Sequence, residues 1–180
     1  VDVLRNLDCE VIFDHRQGCC GAPVYLSGDF RTGKELALRN VEAMEDYDYI
    51  VTVCATCGSG LAEYPTYLAE TAEEKARFER FAAKVKDFSV LVLDVLAADL
   101  GRLVLKPEFR GKTVTWHDPC HLTRYQDVRD QPRKILNAIE GLRFVEMSNA
   151  DRCCGLGGSF SITHYDVSQQ IADHKVDAIV

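Results

Sequence analysis

Two hydrophobic periods alternate along this chain. Short runs rich in β-branched and aromatic residues, at Glu10–Phe13, Tyr49–Val53, Thr113–Trp116 and Phe144–Met147, predict buried strands. Between them apolar residues recur three and four positions apart, which predicts helices over Thr32–Glu45, Ala72–Lys86, Ser89–Leu100, Pro132–Ile139 and Asp166–Ile179. Pro132 suits a first helical turn, where its missing N–H leaves no hydrogen bond unmade. Strands alternating with helices predict an α/β class of small parallel sheets flanked by helices. Gly101, Pro107 and Gly111 interrupt both periods, so 101–112 is expected to link a first part, 1–100, to a second, 113–180.

The chain also repeats itself. Cys19-Cys20-Gly21 recurs as Cys153-Cys154-Gly155, 134 residues later. At that offset Glu10–Phe13 lies over Phe144–Met147, and the helical run Thr32–Asp46 lies over Asp166–Val180. Few residues outside the cysteine motif are identical, so the repeat is one of architecture. Cys54 and Cys57 would recur after Val180, and the counterpart of Cys120 would precede Val1. The expectation is therefore two halves, each truncated at one end.

Composition narrows the class. With 47% hydrophobic and 27% charged residues over 180 positions, the chain has the makings of a packed core. Its most apolar stretch, Val90–Leu100, is broken by Asp94 and Asp99, and Val1–Arg5 does not read as a signal peptide. A cytoplasmic location is expected, with any attachment to the inner membrane face made through partners. A net charge of −7 argues against a nucleic-acid partner. The mixed-sign run Glu70–Lys86 reads as a solvated helix face.

Eight cysteines are the anomaly, and they are grouped: Cys19-Cys20, Cys54-x-x-Cys57, Cys120 and Cys153-Cys154, with Cys9 apart. Adjacent cysteines bridge each other poorly, and a chain of this size needs no staples, so the grouping points to metal or redox chemistry. Thiolates are soft, negatively charged ligands that suit iron or zinc. Cys54 and Cys57 follow a predicted strand and precede a helix, with Gly58 and Gly60 in the turn. Cys19-Cys20-Gly21 ends another predicted strand, and in a parallel sheet both loops emerge where ligands bind. Four thiolates meeting there suit a zinc ion or an iron–sulfur cluster, while Cys54 and Cys57 alone would also serve as a thioredoxin-type dithiol. His117, His121 and His164 flank the second cysteine group, where a ring nitrogen can donate to sulfur or ligate; His121 is the foremost of the three. His15 and His174 read as surface residues, and Cys9 as a buried thiol at a turn. Gly28–Glu35 nearly spells a phosphate loop, but Glu35 stands where a hydroxyl is needed, so a turn and a charged first helical turn are expected. Gly155-Leu156-Gly157-Gly158 reads as backbone free to wrap a cluster rather than a dinucleotide fingerprint, because Phe160 replaces the third glycine.

A leading Cys, then Cys-Cys-Gly, then Cys-x-x-Cys, spaced by about thirty and thirty-five residues, resembles the cysteine-rich CCG domain. That domain occurs twice in the B-type component of heterodisulfide reductase and in the iron–sulfur subunits of glycolate and lactate oxidases. The stretches QGCCGAPVYLSGDF, YDYIVTVCATCGSGL, HDPCHLTRYQDVRDQPRKIL and FVEMSNADRCCGLGGSFS are most similar to the glycolate/lactate-oxidase branch. The resemblance implies two Rossmann-like halves, each holding a 4Fe–4S-type cluster, noncubane in heterodisulfide reductases. It implies Cys19, Cys20, Cys54 and Cys57 as ligands of the first cluster, and Cys120, Cys153 and Cys154 as ligands of the second. It further implies an electron-transport role beside a flavoprotein oxidase or dehydrogenase subunit and other iron–sulfur subunits, with a quinone or other acceptor downstream. Two other functions stay open on the residues alone: a disulfide or thiol reductase in which the cluster engages substrate sulfur, and a zinc-stapled interaction domain. The chain shows no Ser-His-Asp arrangement and no carboxylate pair for chemistry of its own.

Overall fold

A computed structural model describes residues 1–179. The chain forms two compact units, Val1–Ala98 and Asp99–Val180. Each is a mixture of helices and one small parallel sheet.

In the first unit a single turn, α1 (Asp2–Arg5), leads through an irregular stretch to α2 (Ala22–Tyr25) and α3 (Phe30–Met44). Asp29 caps α3, its side chain accepting the Thr32 N–H at 3.0 Å. Strand β1 (Ile50–Thr52) is followed by α4 (Ala55–Ala62), α5 (Tyr64–Tyr67) and α6 (Ala72–Lys84). Thr71 caps α6 by accepting the Glu74 N–H. Strand β2 (Val85–Asp87) then pairs parallel with β1, Ile50 opposite Val85. The unit closes with α7 (Phe88–Val90) and one wide, π-type turn, Leu91–Val95. Its core packs α3, α4, α5 and α6 around Tyr25, Val41, Tyr64, Phe78 and Phe81. The Tyr64 ring stacks on Phe81 with centroids 5.8 Å apart.

The second unit begins with two 3₁₀ turns, Leu100–Arg102 and Pro107–Phe109. Strand β3 (Thr113–Val114) precedes α8 (Cys120–Thr123) and α9 (Asp130–Ala138). Strand β4 (Arg143–Phe144) pairs parallel with β3, Val114 opposite Phe144. Helices α10 (Phe160–Thr163) and α11 (Tyr165–Val176) end the unit. Leu122, Val128, Pro132 and Met147 are buried here, and Arg133 ties Asp118 to Glu146 at 2.8 and 2.7 Å.

The structure revises several boundaries. Residues 10–13 form no strand, and Phe13 is 83% exposed. A strand needs a partner, and among the described residues β1 pairs with β2 alone. The chain after residue 13 is instead held by side chains: Asp14 accepts from Arg16 and Tyr47, and Arg16 reaches the Ala43 carbonyl at the end of α3. The helix expected to run to Lys86 stops at Lys84, because Val85 turns extended to pair with Ile50. The helix expected over Ser89–Leu100 is cut short where Ala97 adopts a φ of +46°. The other two strands are shorter than their hydrophobic runs, each two residues long.

Candidate metal centre

The first cysteine pair sits on the loop that enters α2. Gly21, the residue just before that helix, has a φ of +79°, a conformation glycine adopts freely. Its N–H points back at the Cys19 Sγ, 3.5 Å away. Cys19 is exposed and Cys20 buried. Two fully buried side chains hold this backbone. Asn40, on α3, donates from Nδ2 to the Cys19 carbonyl at 2.9 Å and accepts the Gly18 N–H on Oδ1 at 2.8 Å. Tyr64 donates its hydroxyl to the Cys20 carbonyl at 2.8 Å, and the Asn40 amide also donates to the Tyr64 oxygen.

The Cys-x-x-Cys pair follows β1, with Cys54 immediately before α4 and Cys57 in its first turn. α4 approaches α2 closely, and the Tyr25 hydroxyl donates to the Gly60 carbonyl at 3.1 Å. The thiol of Cys57 interacts with those of both Cys20 and Cys54. Burial, then the two neighbouring sulfurs, push the Cys57 thiol up to about 12. Burial also raises Cys20. Cys54 moves the other way, because the N–H of Cys57, with that of Thr56, favours its thiolate, although no capping hydrogen bond closes. Cys20 and Cys57 share one packed core beside Gly60 of α4, with Cys19 next to Cys20 on its loop and Cys54 at the start of α4, so the two motifs lie on neighbouring elements rather than around one point. Among the described residues no three His, Cys, Asp or Glu side chains are closed into a set that would hold an ion as they stand. The donor chemistry nevertheless fits a soft cation, which would offset the cost of burying a thiolate at Cys57 beside other sulfurs.

In the second unit Gly155 repeats the turn of Gly21. Its φ is +84°, and its N–H points at the Cys153 Sγ at 3.4 Å. A buried cation holds this loop: Lys175, on α11, donates to the carbonyls of Asn149 at 3.0 Å and Ala150 at 2.8 Å. The Ala150 carbonyl also meets His117 Nδ1 at 3.1 Å and the Asp118 N–H at 2.9 Å. Burial lowers Lys175, and burial with the charge of Lys175 lowers His117. Ser168, also on α11, donates to the Gly155 carbonyl. Cys153 and Cys154 are exposed, as is Cys120 at the start of α8, and no hydrogen bond joins Cys120 to that pair among the described residues.

The remaining candidates lie elsewhere. His121 stacks on Tyr125, and His164 packs against Phe160. Cys9 is half-buried after α1, its thiol directed at the Leu7 carbonyl. Lys34, in the near-phosphate loop, is engaged by Glu70 at 2.7 Å and Glu74 at 2.9 Å. Asn40, Tyr64 and Lys175 carry no motif, and a polar residue on an amphipathic helix gives no sign in the sequence that it turns inward.

The family model described as a cysteine-rich domain, CCG, matches residues 1–62 and 114–180. The chain belongs to the cysteine-rich CCG family. Among curated relatives, Lactate utilization protein A of Bacillus cytotoxicus is 36% identical over 181 residues, covering 100% of this chain and 73% of that protein. Lactate utilization protein A of Geobacillus kaustophilus is 37% identical over 180 residues, 99% of this chain and 73% of that protein. The family expected from the cysteine spacing is the family found. Among the described residues no helix of this CCG chain is long and apolar enough to cross a membrane.

Proposed function

We propose that this chain is the iron–sulfur subunit of a lactate- or glycolate-oxidising complex, passing electrons from a flavoprotein subunit towards a quinone or other acceptor. What supports the reading is the packing of Cys20 with Cys57, which brings the Cys-Cys-Gly loop against the Cys-x-x-Cys helix, in a chain whose relatives are named for lactate utilization. A 4Fe–4S-type cluster bound there supplies one-electron transfer.

The protein's own residues do the rest. Cys19, Cys20, Cys54 and Cys57 hold the first cluster, and Cys120, Cys153 and Cys154 contribute to the second. The Gly21 and Gly155 N–H groups, directed at sulfur, lower the electron density there and favour the reduced state. Burial of Cys20 against α4 keeps water from one side of the first group. The two units are Rossmann-like repeats. What supports that is the shared positive-φ glycine, the shared N–H to sulfur contact and one parallel strand pair in each. A cytoplasmic subunit, attached to the inner membrane face through its partners, follows from this role.

The test is iron, zinc and acid-labile sulfide per chain, on protein purified without oxygen. Iron with matching sulfide is the expected result. Zinc without sulfide overturns electron transfer in favour of a structural staple.

A further inference from the structure

The two cysteine pairs are held by different chemistry from the same place. In the first unit the space behind Gly21 is closed by the Gly33 carbonyl and Leu36, each 3.5 Å from where a Cβ would stand. In the second, the space behind Gly155 is closed by the Ser168 carbonyl at 2.6 Å and Ile171 at 3.3 Å. Gly33 thus corresponds to Ser168 and Leu36 to Ile171, which sets the packed helices one residue out of the register given by the cysteine motif alone. One further turn along, the same register brings Asn40 onto Lys175. Both are buried, at 1% and 6% exposure, and both donate to carbonyls of the chain that runs into the cysteine pair.

We propose that Asn40, with Tyr64, and Lys175, with His117, are corresponding positioning residues that set the backbone of the two cysteine pairs for metal binding. The inference rests on the metal-binding reading above and deepens it. Asn40 and Tyr64 fix the carbonyls of Cys19 and Cys20 directly, so they limit how the two Sγ atoms can be turned. Lys175 and His117 converge on Ala150, three residues ahead of Cys153, and the exchange of an amide for an ammonium places a buried positive charge at the position that Asn40 fills in the first unit. None of the four is proposed as a ligand. Each acts through the loop, as outer hydrogen-bond partners do when they orient ligands.

Cobalt(II) is the probe, added to the reduced chain without oxygen, because thiolate-to-cobalt absorption reports the number and arrangement of sulfur ligands. For the first unit the variants are Tyr64→Phe, which keeps the core ring and removes only the donor to Cys20, and Asn40→Leu. For the second they are Lys175→Met and Lys175→Arg, in a background with Cys19, Cys20, Cys54 and Cys57 all changed to Ser, so that the first group is silent and Cys120, Cys153 and Cys154 carry the signal. The expected result is cobalt affinity about tenfold weaker, with an altered charge-transfer band, in Tyr64→Phe and Lys175→Met. Lys175→Arg restores most of the band, and Tyr64→Phe keeps the native circular dichroism. Unchanged affinity and band in Tyr64→Phe and Lys175→Met, with the parent proteins binding normally, overturn the positioning roles and leave the metal site standing. Parent proteins that bind neither cobalt nor iron overturn the metal-binding reading, and the positioning roles with it.

Discussion

Gly60 and Ala22 meet with no side chain between them: a Cβ on Gly60 would stand 2.7 Å from the Ala22 Cβ and 3.5 Å from the Cys20 Sγ. Real Cβ atoms do not approach that closely, so Gly60→Ala has to drive α4 away from the loop carrying Cys19 and Cys20. Overpacking of this kind costs about 1–3 kcal/mol. We expect a lowered melting temperature together with weaker cobalt binding. Gly157→Ala is the control, because a Cβ there meets only the Phe160 Cβ at 4.0 Å, and it should melt like the parent.

Cysteine substitutions separate ligands from bystanders. Cys54→Ser should strip the first cluster's share of the visible absorption, with the matching iron and sulfide, from protein reconstituted without oxygen. Cys9→Ser should leave all three unchanged, since its thiol faces the Leu7 carbonyl and takes no part in the group around Cys57. A loss in Cys9→Ser equal to that in Cys54→Ser would mean the ligands are wrongly chosen.

Arg133 serves two carboxylates at once. It reaches Asp118 through both terminal nitrogens at 2.8 Å and Glu146 through Nε at 2.7 Å, and Asp118 is buried. Burial pushes the Asp118 carboxyl up, and the guanidinium, aided by Trp116 and the charge of Arg129, outweighs it and holds the group below its usual range. Arg133→Met leaves that charge without its partner and should cost about 3 kcal/mol, read by calorimetry. Arg133→Lys should recover only part, because an ammonium cannot fork to two carboxylates in one plane.

Acid stability of the first unit should depend on Glu45. The Arg77 guanidinium, at 2.5 Å, holds the Glu45 carboxyl below its usual range, with Arg77 in turn raised. A depressed carboxylate adds stability above its unfolded value, about 4.3, and the gain disappears as pH falls through the lower folded value. Both side chains are about one-third exposed, so the contribution is about 0.5 kcal/mol. In urea titrations at pH 7 and pH 3, Glu45→Gln should narrow the difference between the two midpoints. An unchanged difference would show that other carboxylates set the acid limb.

The sequence made some of this architecture legible and hid the rest for physical reasons. Cysteine grouping marks the site because so many thiols in so few places serve no packing purpose. Helix α3 is readable because its apolar residues, Leu36, Leu38, Val41 and Ala43 among them, recur at helical spacing. Strand β2 is not, because Val85–Asp87 continues the apolar spacing of α6 and becomes extended only by pairing with β1. Glu10–Phe13 looks like a strand by composition, yet composition carries no information about whether an edge is there to receive it. Tyr64 reads as a packing residue, and its ring does pack; the use of its hydroxyl depends on a loop 44 residues away. Lys175 is hidden most thoroughly, since a lysine near a helix end is ordinarily solvated.

The side chains that grip Cys19 and Cys20 belong to helices whose own hydrogen bonds and apolar contacts need no metal. The chain around the first pair is therefore ordered as the protein folds, and the conformational entropy of fixing it is lost at that stage. An ion arriving later meets a preorganised pair in Cys19 and Cys20, and its binding free energy goes into bonds to sulfur rather than into arranging backbone. Capture should accordingly be fast and leave the far-ultraviolet circular dichroism of the first unit almost unmoved, unlike small metal-dependent domains that fold only around their ion.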